Sequence, residues 1–129
     1  MKKYLLIGIG CAFGAMVRNY VIDAIGAYTF GLWAVIVCNV VGCFFIGMIM
    51  AALLKRWGGQ YMYAFFATGF CGGLTTFSEY AGGLANAMLT HDIWISMGFL
   101  LIEFTVCIAA VYYGMWIFLS DKKIIELLK

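Results

Sequence analysis

The sequence predicts an all-α membrane protein with four transmembrane helices, the third of them broken mid-membrane. Three observations carry this expectation. The chain is 66% hydrophobic and 11% charged, with no proline in 129 residues and a mean hydropathy of +1.02, far more apolar than a soluble domain. Its apolar residues gather into four stretches, each long enough to cross a hydrocarbon core of about 30 Å as a helix. The third stretch contains "GFCGGLTTFSEY", residues 69–80, which sets glycines, threonines, a serine and a glutamate where lipid disfavours them. Spans at approximately 4–25, 32–54, 61–89 and 93–119, joined by short turns such as "KRWGGQ" and "THD", make one membrane domain over 1–129. Spans of this length without two-residue alternation are helices, because helices satisfy their own backbone groups in lipid. No length remains for a separate catalytic domain.

The first span follows Lys2 and Lys3. That beginning resembles a secretory signal, but Arg18 within the run and three further apolar stretches favour a span that is retained. Gly10 and Gly14 stand four apart, the spacing that lets helix backbones approach closely, and packing is their expected role. Arg18 lies one turn further on. A charge there costs about 2.5–3.5 kcal/mol on insertion scales unless partnered, so it either snorkels to the surface or draws anions into a vestibule.

The second span carries one deep amide, Asn39, followed by Gly42 and Gly47. An interhelical hydrogen bond worth about 1 kcal/mol and a side chain lining a wet path are both open readings.

The third stretch, 61–89, would be about 43 Å long as one helix, more than the bilayer needs. Gly69, Gly72 and Gly73 weaken a helix interior, and Thr75 and Thr76 divert backbone hydrogen bonds to their hydroxyls. An unwound turn over 71–76, "CGGLTT", is therefore expected. Freed carbonyls suit a cation, and a helix resuming near Phe77 suits an anion; a plain kink packed against neighbours is the alternative. Phe77 and Tyr80, three apart with Ser78 and Glu79 beside them, share a helix face. They either belong to the core or present positive ring edges to an anion in a narrow pore.

In the fourth span Ser96, Glu103, Cys107 and Gly114 make a weakly polar stripe, which lines a path or packs on another helix. Cys11, Cys38, Cys43, Cys71 and Cys107 lack metal-ligand spacing and read as small packing residues. His91 sits in the "THD" turn without a nucleophile or ligand cluster, so no enzyme is expected, and a net charge of +2 with scattered bases gives nucleic acid nothing to bind.

The bases also set an orientation. Of eight Lys and Arg, seven (Lys2, Lys3, Lys55, Arg56, Lys122, Lys123 and Lys129) fall on one side of a four-span chain, which places both termini in the cytoplasm.

"GAMVR" (14–18), "NVVGCFFIG" (39–47) and above all "GFCGGLTTFS" (69–78) resemble, in that order and spacing, the Fluc/CrcB fluoride channels. The resemblance runs over essentially the whole chain. It implies four-helix subunits assembled as an antiparallel dimer in the cell membrane, with two narrow fluoride paths and a structural sodium ion at the dimer interface. By that resemblance the carbonyls of Gly72 and Thr75 would hold the sodium, and Asn39, Phe77, Ser78 and Tyr80 would line the anion path. Phe77 and Tyr80 would form an aromatic box. Apart from the resemblance, Arg18, Glu79 and Glu103 are candidates for a vestibule or for tuning charge. The activity implied is passive export of cytoplasmic fluoride.

The chain also departs from that family's usual F-S-T-F-S-x-E. It has Glu79 for the threonine, Tyr80 for the second phenylalanine, Ala81 for the serine and Gly83 for the glutamate. A carboxylate beside an anion path repels; Glu79 points away, is protonated, or marks a path that no longer conducts, and Glu103 raises the same question. A seven-to-one distribution of bases favours one orientation, hence one half of a heterodimer, with the homodimer as alternative. A non-conducting partner subunit remains open. A small multidrug-type transporter fits less well, because no glutamate lies in the first span and Asp23 lies at its end.

Overall fold

The computed structural model describes residues 1–26, 31–55, 58–90 and 93–119. Arg56, His91, Lys122, Lys123 and Lys129, and with them parts of the "KRWGGQ" and "THD" turns, lie outside the described residues.

Among the described residues the structure is helical, without strands. Helix α1 is Lys2–Gly26, α2 is Gly31–Leu54 and α5 is Ile93–Leu119, three helices with a stretch long and apolar enough to cross a membrane. Between α2 and α5 runs a passage of two parts, α3 over 60–74 and α4 at Phe77–Thr90. Within α3 the segment Ala64–Cys71 is wound as a π-helix, flanked by α-helical turns at Gln60–Tyr63 and Gly72–Leu74. Apolar side chains face outward along the whole length of these helices, among them Phe13, Val41, Leu101 and Ile108. Such a surface suits lipid, and the chain is a multi-pass membrane protein.

Glycines decide how the helices meet. A methyl group on Gly10 would strike the Phe65 carbonyl, one on Gly14 the Phe70 carbonyl, and one on Gly73 the Cys11 carbonyl. Gly10 of α1 thus lies against Gly69 of α3, Gly14 against Phe70 and Leu74, and Gly73 against Cys11, with small residues at a four-residue spacing on both sides of a backbone contact. A second seam joins α2 to α5, where Gly47 lies against the Val111 carbonyl and Gly114 against that of Phe44.

The stripe on the fourth apolar stretch is the packed face of its helix. Ser96, Glu103, Gly114 and Leu119 are the residues of α5 that are buried. The main core cluster is Leu32, Val35 and Ile36 of α2 with Tyr80 and Leu84 of α4, flanked by Ile22, Val40, Phe99 and Leu100. This core holds α4 against α2, and so sets the position of the residues where α3 ends.

Candidate functional site

The backbone leaves helical geometry at Thr75, which is extended (φ −85°, ψ 144°), and resumes it at Phe77. Sequence reading centres an unwound turn on 71–76, yet Gly72 keeps right-handed helical angles (φ −64°, ψ −31°) and 72–74 form a helical turn. The reason is steric. Gly69 and Gly73 are small because α1 presses on them, so these two glycines serve the packing, while a methyl on Gly72 would meet nothing and the threonines carry the discontinuity.

Four hydrogen bonds explain the position. The Thr75 amide and hydroxyl both donate to the Cys71 carbonyl, at 2.9 and 3.0 Å, which closes the last turn of α3. The Thr76 amide donates not to the Gly72 carbonyl, four residues back, but to Asn39 Oδ1 at 2.8 Å. The Glu79 amide donates not to the Thr75 carbonyl but to the Thr76 hydroxyl at 3.3 Å. Two amides are diverted to side chains, and two carbonyls, Gly72 and Thr75, lose their regular helical donors.

Thr76 thereby caps α4 as a side-chain acceptor for the third amide of the helix. The sequence T-x-x-E (Thr76 to Glu79) has capping-box spacing, in which the glutamate would reach back to the Thr76 amide. Here Asn39 takes that amide, and the Glu79 carboxylate turns to Arg18. Sequence reading singles out the Thr76 hydroxyl as diverting a backbone bond; the spacing from Glu79 is the signal that would have identified it as a cap. The Thr76 and Ser78 hydroxyls lie 3.2 Å apart beside the cap.

Asn39 is 7% exposed, and its side-chain amide is fully engaged. Besides accepting from Thr76 it donates to the Thr76 carbonyl at 3.3 Å and to Glu103 Oε1 at 2.7 Å, linking α2, α5 and the discontinuity. Glu103 is 6% exposed; its Oε1 also accepts from the Cys107 thiol at 3.6 Å, while Oε2 is buried without a hydrogen-bond partner. Asn39, Thr75, Thr76, Phe77, Glu103 and Cys107 border a cavity of about 240 Å³.

Arg18 meets the same region from α1. Its Nη1 donates to the Gly73 carbonyl at 3.1 Å, and its Nε lies 3.6 Å from Glu79 Oε2. The two aromatic candidates part company. Phe77 is 66% exposed, whereas Tyr80 is fully buried in the core cluster with its hydroxyl unpartnered. The structure therefore brings Asn39, Thr75, Thr76, Phe77 and Glu103 to one cavity, with Gly72, Ser78, Glu79 and Arg18 around the discontinuity. Tyr80 is instead buried in the core cluster.

The arrangement offers carbonyls, hydroxyls and an amide at the height of an interrupted helix, flanked by one ion pair. Freed carbonyls suit a small hard cation, and hydroxyls suit an anion. Nothing in it resembles a nucleophile with its base.

Comparison with known proteins identifies the family. Residues 5–115 match the family model described as CrcB-like protein, Camphor Resistance (CrcB). A relative from Methanococcus vannielii, named fluoride-specific ion channel FluC, is 39% identical over 88% of this chain and 93% of its own. Relatives of the same name from Methanococcus maripaludis (36% identical; 88% and 93% covered) and Francisella tularensis subsp. mediasiatica (31%; 92% and 96%) are similar along nearly their whole length. On this match the chain belongs to the CrcB family of membrane proteins.

Proposed function

We propose that this chain is a subunit of a fluoride-selective channel that lets cytoplasmic fluoride leave passively across the cell membrane. The observation that carries the reading is the family match over residues 5–115, with relatives named as fluoride-specific ion channels rather than as enzymes. The functional unit in this reading is an antiparallel dimer of four-span subunits, a single membrane domain each, with both termini of this one in the cytoplasm. The third span is broken mid-bilayer at Thr75 and Thr76.

The anion path takes Asn39, Phe77, Ser78 and Tyr80. Support comes from the cavity bordered by Asn39, Thr76 and Phe77 and from the Ser78 hydroxyl 3.2 Å from that of Thr76. Phe77, exposed on the subunit, is placed to be covered by a second one. Tyr80 contributes from the core side, as the support on which the start of α4 rests. Arg18, Glu79 and Glu103 tune charge along the path.

A structural sodium ion at the dimer interface fits the residues present. The carbonyls of Gly72 and Thr75 are the two whose helical amides are diverted, to Asn39 and to the Thr76 hydroxyl, and a sodium ion is bound by such oxygens. When bound, the ion supplies positive charge at the interface. Asn39, Thr76 and the last turn of α3 hold the two carbonyls clear of helical bonding.

A second reading is favoured by Glu79, whose carboxylate is 43% exposed next to the path and is only partly offset by Arg18. In it this chain is a half-active or non-conducting partner in a heterodimer with an oppositely oriented homologue. Liposomes loaded with fluoride, carrying the purified chain alone or together with such a homologue, test both. Fluoride efflux without chloride efflux is expected. Efflux only with the partner selects the heterodimer, and none in either preparation removes the channel reading.

A further inference from the structure

We propose that Glu103 is a positioning residue for the cation site at the discontinuity, acting through Asn39. The proposal rests on the reading above that the Gly72 and Thr75 carbonyls receive sodium. Glu103 stands on α5, 64 residues from Asn39 in sequence, yet its Oε1 takes the Asn39 Nδ2 hydrogen at 2.7 Å, the shortest bond Asn39 makes.

That bond sets which way the amide faces. With Nδ2 turned to Glu103, Oδ1 is left toward Thr76 and accepts its amide. Rotated by half a turn, the amide would set Nδ2 against the Thr76 N–H and Oδ1 against Glu103 Oε1, donor to donor and acceptor to acceptor. Both residues are buried, so water is poorly placed to substitute. Glu103 thus holds Asn39 in the orientation that keeps the Thr76 amide off the Gly72 carbonyl. Without it, that amide has its regular partner four residues back, and one more helical bond would consume an oxygen the cation needs.

A second observation points the same way. Glu103 Oε2 is buried and unpartnered, so the carboxyl group is not there to be satisfied by its surroundings. An apolar residue of similar length would pack on α2 at lower cost. What an apolar residue lacks is the acceptor for Asn39.

Sodium-dependent thermal stabilisation of the purified chain in detergent reads the site without recourse to flux. Glu103→Gln keeps an acceptor for Asn39 and is expected to hold the half-maximal sodium concentration near the wild-type value. Glu103→Met is expected to raise it by about tenfold, the loss of one buried hydrogen bond, and to speed hydrogen exchange at the Thr76 amide. Asn39→Asp should raise it as well. Adding Glu103→Gln to Asn39→Asp remakes the bond with donor and acceptor exchanged and should recover affinity. That pair decides the matter even if Glu103→Met fails to fold. Wild-type stabilisation by sodium with no shift in Glu103→Met, or no recovery in the exchanged pair, overturns the proposal and leaves the sodium reading standing. A wild type indifferent to sodium overturns both.

Discussion

Arg18 and Glu79 are held 3.6 Å apart, Nε to Oε2, while Arg18 Nη1 grips the Gly73 carbonyl at 3.1 Å. One guanidinium on α1 therefore spans the discontinuity, with Gly73 on the side where α3 ends and Glu79 on the side where α4 begins. The base that sequence reading leaves between snorkelling and a vestibule role is a clamp. The Glu79 carboxylate, a departure from the family's usual pattern, has a cation next to it.

Substitution at this clamp should be unequal. Arg18→Gln loses both the ion pair and the carbonyl bond, whereas Glu79→Gln loses the pair alone. Thermal unfolding in detergent should show the larger loss for Arg18→Gln, and the double variant should fall short of the summed losses by about 0.5–1 kcal/mol, as for partly exposed pairs. Strict additivity would mean the two charges do not interact.

The glycine seam yields a sharper contrast within one helix. An added methyl at Gly8 meets nothing within 4 Å, while one at Gly10 collides with the backbone of α3. Gly8→Ala should hold or raise stability, by up to about 1 kcal/mol from helix propensity. Gly10→Ala should lower it by about 1–3 kcal/mol, the range for overpacking. Equal effects at both positions would refute the close contact of α1 with α3.

Tyr80 and Phe77, three residues apart, should behave as different kinds of residue. Tyr80→Ala opens a void in the core and should cost about 3–5 kcal/mol, whereas Phe77→Ala on the exposed side should leave subunit stability nearly unchanged and alter fluoride flux. Tyr80→Phe should be neutral or stabilising, because the hydroxyl is buried without a partner. A marked loss of stability in Tyr80→Phe would show that the hydroxyl is bonded after all.

Orientation is testable on the chain alone. In the four-span reading seven of eight bases fall on one side, so a reporter fused to the C-terminus should give a cytoplasmic signal only. A mixed signal would favour a subunit that inserts both ways and assembles with copies of itself.

How much of this was legible in the sequence differs residue by residue. Gly10 and Gly14 announced a close helix contact by their spacing, and Ser96, Glu103, Cys107 and Gly114 were legible as one stripe on α5, though not as a face that both packs and borders a cavity. Thr76 was legible as a hydroxyl that diverts a backbone bond, but not as the cap of α4, although its spacing from Glu79 is that of a capping box. Tyr80 was drawn toward Phe77 by a three-residue interval that permits a shared face but does not say what covers it.

Composition and the length of the apolar stretches were enough to determine a multi-pass helical membrane protein, because lipid leaves so few ways to satisfy a backbone. The partners of Arg18, Asn39 and Glu103, and the residue at which α3 ends, were decided only by tertiary structure. Helices that are apolar nearly all round carry little amphipathic signal to separate a buried face from a lipid-facing one. Which distant side chains meet then depends on how the glycine seams rotate one helix against the next.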